Sequence, residues 1–277
     1  MIKIREAINS RPVTSISGVY ISRANLLRVN APPHIADNNN NKIQFIVYAF
    51  ILSYPFFIMK ILSINVSEPQ KIVFNGKELI TSIYKKPIDG SVDVSDVGIS
   101  GDRQADLKVH GGYDKAVYAY SYKHYKKWSD VMGQDYNDYG LVGENLTIDD
   151  FDEKEIKIGD EFEVGNCIFQ VSQPRIPCYK IGIKMNSRDF PKKFSSSGLL
   201  GAYLRVTKTG SIQNGDELKL IKTEKDSLSL FDISDILFKD VNNIEKMKAA
   251  LDLKYLTEEI KERFRERLMK LGDFSSL

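Results

Sequence analysis

Apolar and polar residues alternate in short runs through the middle of the chain. Lys60-Ile61-Leu62-Ser63-Ile64-Asn65-Val66 reads as a first strand, and comparable runs follow at 77–84, 116–120, 155–158, 161–164, 167–172, 203–208 and 217–221. A period of two sends successive side chains to opposite faces of a sheet. Turn signals separate the runs at Asn75-Gly76, Gly101-Asp102, Gly159-Asp160 and Asn214-Gly215-Asp216. One helix interrupts at about 121–132, where Tyr122, Tyr125 and Trp128 fall near helical spacing. Many short strands broken by turns predict a mainly β chain arranged as a barrel.

The pattern changes at both ends. From about 227 it becomes helical, with short helices predicted near 233–238 and 244–251. A longer one follows, capped by Thr257, with Glu258 and Glu259 in its first turn and Gly272 placed to stop it. Ile260, Phe264, Leu268 and Leu271 form one apolar face. We expect 227–272 to be a small three-helix domain, packed as its own lobe and not required to hold a metal. Residues 59–222 form the expected barrel domain. Residues 1–58 are different again, with the run Asn38-Asn39-Asn40-Asn41 and then an uncharged apolar stretch over 43–59. Its 17 residues are at the lower limit for a bilayer span. The expectation is an extension that is disordered or not natively made, with the working protein starting near Met59; a membrane anchor is the competing reading.

Charge and cysteine content narrow the class. Residues 1–58 carry six basic residues against two acidic ones, and the rest carries 33 against 35. The folded part thus lacks the basic footprint of a nucleic-acid binder. Two cysteines, Cys167 and Cys178, cannot build a disulfide framework or an ordinary iron–sulfur cluster. Three histidines without HExxH or CxxC spacing argue against zinc, and a reducing cytoplasm is the expected location.

Three constellations carry candidate chemistry. In Gly98-Ile99-Ser100-Gly101-Asp102-Arg103-Gln104-Ala105-Asp106 and the following His110-Gly111-Gly112-Tyr113-Asp114-Lys115, glycines allow backbone N–H groups to approach an anion. His110 and Lys115 would add a directional bond and charge; the alternative is two ordinary turns with solvated charges. In Gln173-Pro174-Arg175-Ile176-Pro177-Cys178-Tyr179-Lys180, two prolines stiffen a loop whose Arg175 and Lys180 favour the thiolate of Cys178. A lone cysteine also serves as a small buried hydrophobe, which is how Cys167 reads. In Gly140-Leu141-Val142-Gly143-Glu144-Asn145-Leu146-Thr147, Asn145 offers a donor and an acceptor to a heterocycle edge, or the segment is a turn entering a strand.

In this order, GISGDRQAD, HGGYDKAVYAY, GLVGENLT, IKIGDEFEVG, QPRIPCYK and GAYLRVTKTGSIQNGDEL resemble the MOSC family, named for the C-terminal domain of molybdenum-cofactor sulfurase. The likeness runs from about Met59 to Ile221, and the helical tail resembles the three-helix domain of the YiiM-type branch. The resemblance implies a MOSC β-barrel and a molybdopterin-type molybdenum cofactor with Cys178 as its thiolate ligand. The family is also associated with pyridoxal phosphate binding. His110, Gly111, Gly112, Lys115, Asn145, Arg175 and Lys180 are the expected cofactor contacts.

The branch reduces N-hydroxylated compounds, notably purine bases such as hydroxylaminopurine, to amines, a detoxification. Some MOSC reductases carry a fused ferredoxin-like domain, for which this chain lacks cysteines. The expected partners are therefore a small N-hydroxylated substrate and a separate electron donor, a flavoprotein reductase, with no nucleic acid and no membrane. The alternative is a carrier of the cofactor, or of sulfur as a persulfide on Cys178, without turnover.

Overall fold

The computed structural model describes residues 58–105 and 111–274. The strands of the first half are β1 (Ile58–Val66), β2 (Gln70–Phe74), β3 (Lys77–Thr81), β4 (Lys86–Ile88), β5 (Ser91–Ser95), β6 (Gly98–Ile99) and β7 (Val117–Ser121). Those of the second half are β8 (Leu146–Ile148), β9 (Glu161–Val164), β10 (Cys167–Pro174), β11 (Ala202–Lys208), β12 (Gly210–Gln213) and β13 (Glu217–Lys222). The helices are α1 (Lys123–Met132), α2 (Tyr179–Lys184), α3 (Phe190–Ser197), α4 (Leu230–Phe238), α5 (Ile244–Leu251) and α6 (Glu258–Lys270), with a 3-10 turn at Tyr113–Lys115.

Seven strands close into a barrel in the order β13-β9-β10-β11-β7-β8-β1, and β1 returns to β13. Closure is visible where Ile61 N–H donates to the Asp216 carbonyl at 3.0 Å and the Gly215 N–H donates to the Ile61 carbonyl at 2.8 Å. β4 extends the sheet beside β1, β2 and β3 form a hairpin, and β12, β5 and β6 form a small second sheet. β7 and β8 run parallel, so the chain needs a crossover between them, and α1 supplies it. That covering explains why β7 is buried along its whole length instead of alternating. Its outer face meets an aromatic cluster of Tyr120, Tyr125, Trp128, Phe190 and Phe194. β9, by contrast, turns Phe162 and Val164 inward and Glu161 and Glu163 outward.

The helical tail does not keep a core to itself. Leu230, Ile233, Ile236, Met247, Ile260, Phe264 and Leu268 belong to the same apolar cluster as Phe162, Phe169, Val171 and Leu204 of the barrel. The apolar face of α6 therefore continues the barrel core, where the sequence pattern predicted a separate lobe.

Two other expectations are corrected. The run 155–158 is a turn, not a strand: Glu155 and Ile156 N–H both donate to the Asp152 carbonyl, and Lys157 makes only a single bridge to Ser229. Segment 179–197, read without regular structure, forms α2 and α3. Asn186, at φ 46°, turns the chain between them, and Pro191 opens α3. Among the described residues no helix is long and apolar enough to cross a membrane. The predicted extension, the Asn run and the apolar stretch up to residue 57 lie outside the described residues, as does His110.

Candidate functional site

β10 ends at Pro174, paired with Ala202, and the chain then leaves the barrel rim. Arg175 turns inward and is 4% exposed. One of its terminal nitrogens donates to the Val142 carbonyl, and its guanidinium lies 4.7 Å from the ring centre of Tyr118. Burial works against its charge, but Tyr118, Tyr203 and Cys178 nearby hold its pKa above the ordinary value. Its Nε is buried without a hydrogen-bond partner. Pro177 restricts Ile176 to extended geometry. Cys178, also extended, begins α2, and its carbonyl accepts from Ile181 N–H at 3.1 Å. Cys178 is partly exposed, whereas Cys167 is fully buried in the barrel core, where desolvation pushes its thiol up to about 11.

Cys178, Arg175, Lys180 and Asn145 meet at one cavity of about 50 Å³, walled by Thr81, Ser82 and Ile83 after β3, by Gln104 and Ala105, and by Tyr118 and Tyr203. Lys180, which lines the cavity, donates from Nζ to the Ile80 carbonyl at 2.9 Å. The Ser82 hydroxyl is a second buried polar atom here without a partner. Unpaired buried polar atoms are costly unless something meets them.

A buried network backs this cavity. Asp102 forms an ion pair with Lys85 and accepts from Ser67 N–H at 2.9 Å, Gln104 Nε2 at 3.1 Å and Asn145 Nδ2 at 2.9 Å. Asn145 is thereby occupied: its Nδ2 also donates to the Asn65 carbonyl at 3.2 Å, and its Oδ1 accepts from Tyr118 N–H at 3.1 Å. It braces β1, β7 and the Asp102 turn rather than presenting a vacant amide edge. Glu144, fully buried, accepts from Tyr125, from Thr147 Oγ1 at 2.9 Å and from Val142 N–H at 3.0 Å. Burial lowers the pKa of Lys85, although Asp102 opposes the shift, and it lowers Lys184 to about 8. Lys184 Nζ donates to the Ile83 carbonyl at 2.9 Å and to the Gly140 carbonyl.

Other residues singled out in the sequence lie elsewhere. Gly111 and Gly112, at φ 86° and 78°, lead into the 3-10 turn and do not line the cavity. Lys115 is paired with Glu259 of α6, so its ammonium serves a contact between barrel and tail. Lys85, Ser82, Tyr118 and Tyr203 were missed. Lys85 sits in Tyr84-Lys85-Lys86, where nothing in the local pattern separates a buried lysine from a solvated one.

Comparison with known proteins agrees with this architecture. The MOSC domain matches residues 106–219. The protein YflK of Bacillus subtilis is 32% identical over 211 residues, spanning 76% of this chain and 95% of YflK. A protein of Gibberella moniliformis named reductase is 32% identical over 165 residues, which cover 58% of this chain but 29% of that protein. The solved structure of YiiM from Geobacillus stearothermophilus matches with a TM-score of 0.65 at 31% identity, covering 76% of this chain and 99% of that one. A seven-stranded barrel with six helices among the described residues, together with these relatives in sequence and structure, places the chain in the MOSC family as a homologue of the YiiM proteins.

Proposed function

We propose that this protein is a molybdenum-cofactor-dependent reductase that converts N-hydroxylated substrates, such as N-hydroxylated purine bases, to amines. The observation that carries this reading is the meeting of the Cys178 thiol with a buried guanidinium, a lysine and two unpartnered polar atoms in one cavity. Among the described residues, no three His, Cys, Asp or Glu side chains cluster as a metal cage. A metal here would take one protein thiolate and its other ligands from a cofactor, and a soft thiolate suits molybdenum. The donor set fits an anionic cofactor of that kind.

In this reading Cys178 holds the metal, while Arg175, Lys180 and the Ser82 hydroxyl hold anionic oxygens. When bound, the cofactor supplies the two-electron chemistry that cleaves an N–O bond. Arg175 keeps its charge inside the cavity, and among the described residues no carboxylate forms an ion pair with it. Tyr118 and Tyr203, whose phenols burial keeps protonated, wall the site against water. The Gibberella moniliformis relative's name supports a reductase, and we propose that electrons reach it from a separate donor.

The test is expression of wild type, Cys178→Ser and Cys167→Ser in a host that makes the cofactor. Molybdenum per chain and reduction of an N-hydroxylated base by a chemically reduced dye are then measured. Wild type and Cys167→Ser should carry metal and turn over, and Cys178→Ser should lose turnover. Normal turnover in Cys178→Ser would sink the ligand role, and metal without turnover in the wild type would favour a carrier.

A further inference from the structure

The link between residues 255 and 259, just before and at the start of α6, touches the ends of both motifs that frame the site. Thr257 is 2% exposed and Gln173 1% exposed. The Thr257 hydroxyl donates to Gln173 Oε1 at 2.6 Å, and Gln173 Nε2 donates to the Pro174 carbonyl at 3.3 Å. The first peptide of the Cys178 loop thus hangs from the tail through one side-chain amide. Two further contacts hold the 3-10 turn that precedes β7. Glu259 pairs with Lys115, and Arg205 bridges the Tyr255 carbonyl, at 2.8 Å from Nη1, to Asp114 Oδ1, at 2.6 Å from Nε. Past Gln173, the loop is pinned inward by Arg175 on Val142 and outward by the packing of Ile181 in α2.

From this we infer that Thr257 and Gln173 are positioning residues: the helical tail sets the placement of Cys178 through the Thr257–Gln173–Pro174 chain. This rests on the reading of Cys178 as the reactive thiolate. Thr257 also caps α6, accepting from Ile260 N–H at 3.5 Å, so its loss alone would confuse capping with positioning. Gln173 bonds the Thr257 hydroxyl but is not itself the cap, and its replacement leaves that hydroxyl in place to accept from Ile260 N–H, which separates the two.

Cys178 carries its own reporter, and Cys167 supplies the control. Thiol alkylation by iodoacetamide, mapped by mass spectrometry on the full chain without cofactor, follows both. Gln173→Met and Thr257→Val should each speed Cys178 alkylation by about five-fold, the population shift that losing one buried hydrogen bond allows. The double variant should be no faster than the faster single one, because both break the same chain of contacts. Thr257→Ser should restore the wild-type rate. Cys167, fully buried, should stay unreactive throughout. Unchanged Cys178 rates, multiplicative effects in the double variant, or Cys167 reacting in step with Cys178 would each overturn the positioning role. Since no metal takes part in this measurement, a failure of the molybdenum reading would show in metal analysis and leave the alkylation result to be judged by itself.

Discussion

Asp102→Asn keeps the shape of a side chain that organises the back of the cavity, removes its charge and turns one of its two acceptor oxygens into an amide donor. The side chains of Lys85 and Asp102 are 3% and 4% exposed, so the lysine would keep a buried ammonium without its counter-ion. Breaking a buried pair from one side costs about 3–5 kcal/mol. A domain's whole stability is about 5–15 kcal/mol, so the variant should fold but sit near its limit. Lys85 already has a lowered pKa, with burial the main cause and Asp102 the chief opposing influence. Without Asp102 it falls further. A lysine whose folded pKa lies below its unfolded value binds fewer protons when folded, so stability rises with pH between the two values. The deficit of Asp102→Asn should therefore be larger at neutral pH and shrink as pH climbs toward 10.5. Urea unfolding followed by the fluorescence of Trp128, the sole tryptophan and 1% exposed, reads this directly. Adding Lys85→Met should recover much of the loss. A deficit below about 1 kcal/mol at neutral pH, the scale of a solvated pair, would refute the reasoning.

Lys184, depressed to about 8 by burial, should make wild-type stability rise between pH 8 and 10.5, and Lys184→Met should flatten that rise in the same unfolding assay. Gly201→Ala should destabilise by at least about 2 kcal/mol, because φ is +66° and the new Cβ would lie 2.2 Å from the Ala119 carbonyl oxygen; a shift under that in urea midpoint analysis counts against it. A chain ending near Thr223 should bind a hydrophobic dye or aggregate, since it would uncover the core face shared with Leu230, Ile233, Ile260 and Phe264; a soluble, cooperatively unfolding product would show the tail to be dispensable.

The barrel strands were legible where one face is solvated. β9 alternates because its outer side chains meet water, and α6 declares itself through Thr257 and a clear apolar stripe. Of the strands that went unread, β4, β6 and β8 have two or three residues, too few to show a period, and β2, β5 and β12 lie outside the barrel ring. Cys178 and Arg175 stood out because prolines mark their loop. Lys115 misled because its charge, adjacent to a glycine pair, looked available until Glu259 arrived from 144 residues away. Asp102 was on the page as part of a turn, but that it accepts four donors depends on strands distant in sequence.

Barrel closure also sets the order in which the molecule can be made. β1 needs β13 beside it, and Ile64 N–H reaches Asn214 Oδ1 across a separation of 150 residues. On a ribosome, the first strand of the barrel waits, one edge unmatched, until the last has emerged. Contacts so distant in sequence slow folding, because the loop entropy must be met before the ring can reward it. The helical tail is synthesised later still, yet it shares the barrel's apolar core. Assembly of the barrel is therefore a late, concerted event that waits for β13 and the helical tail to emerge, with little native core available to stabilise a shorter nascent chain.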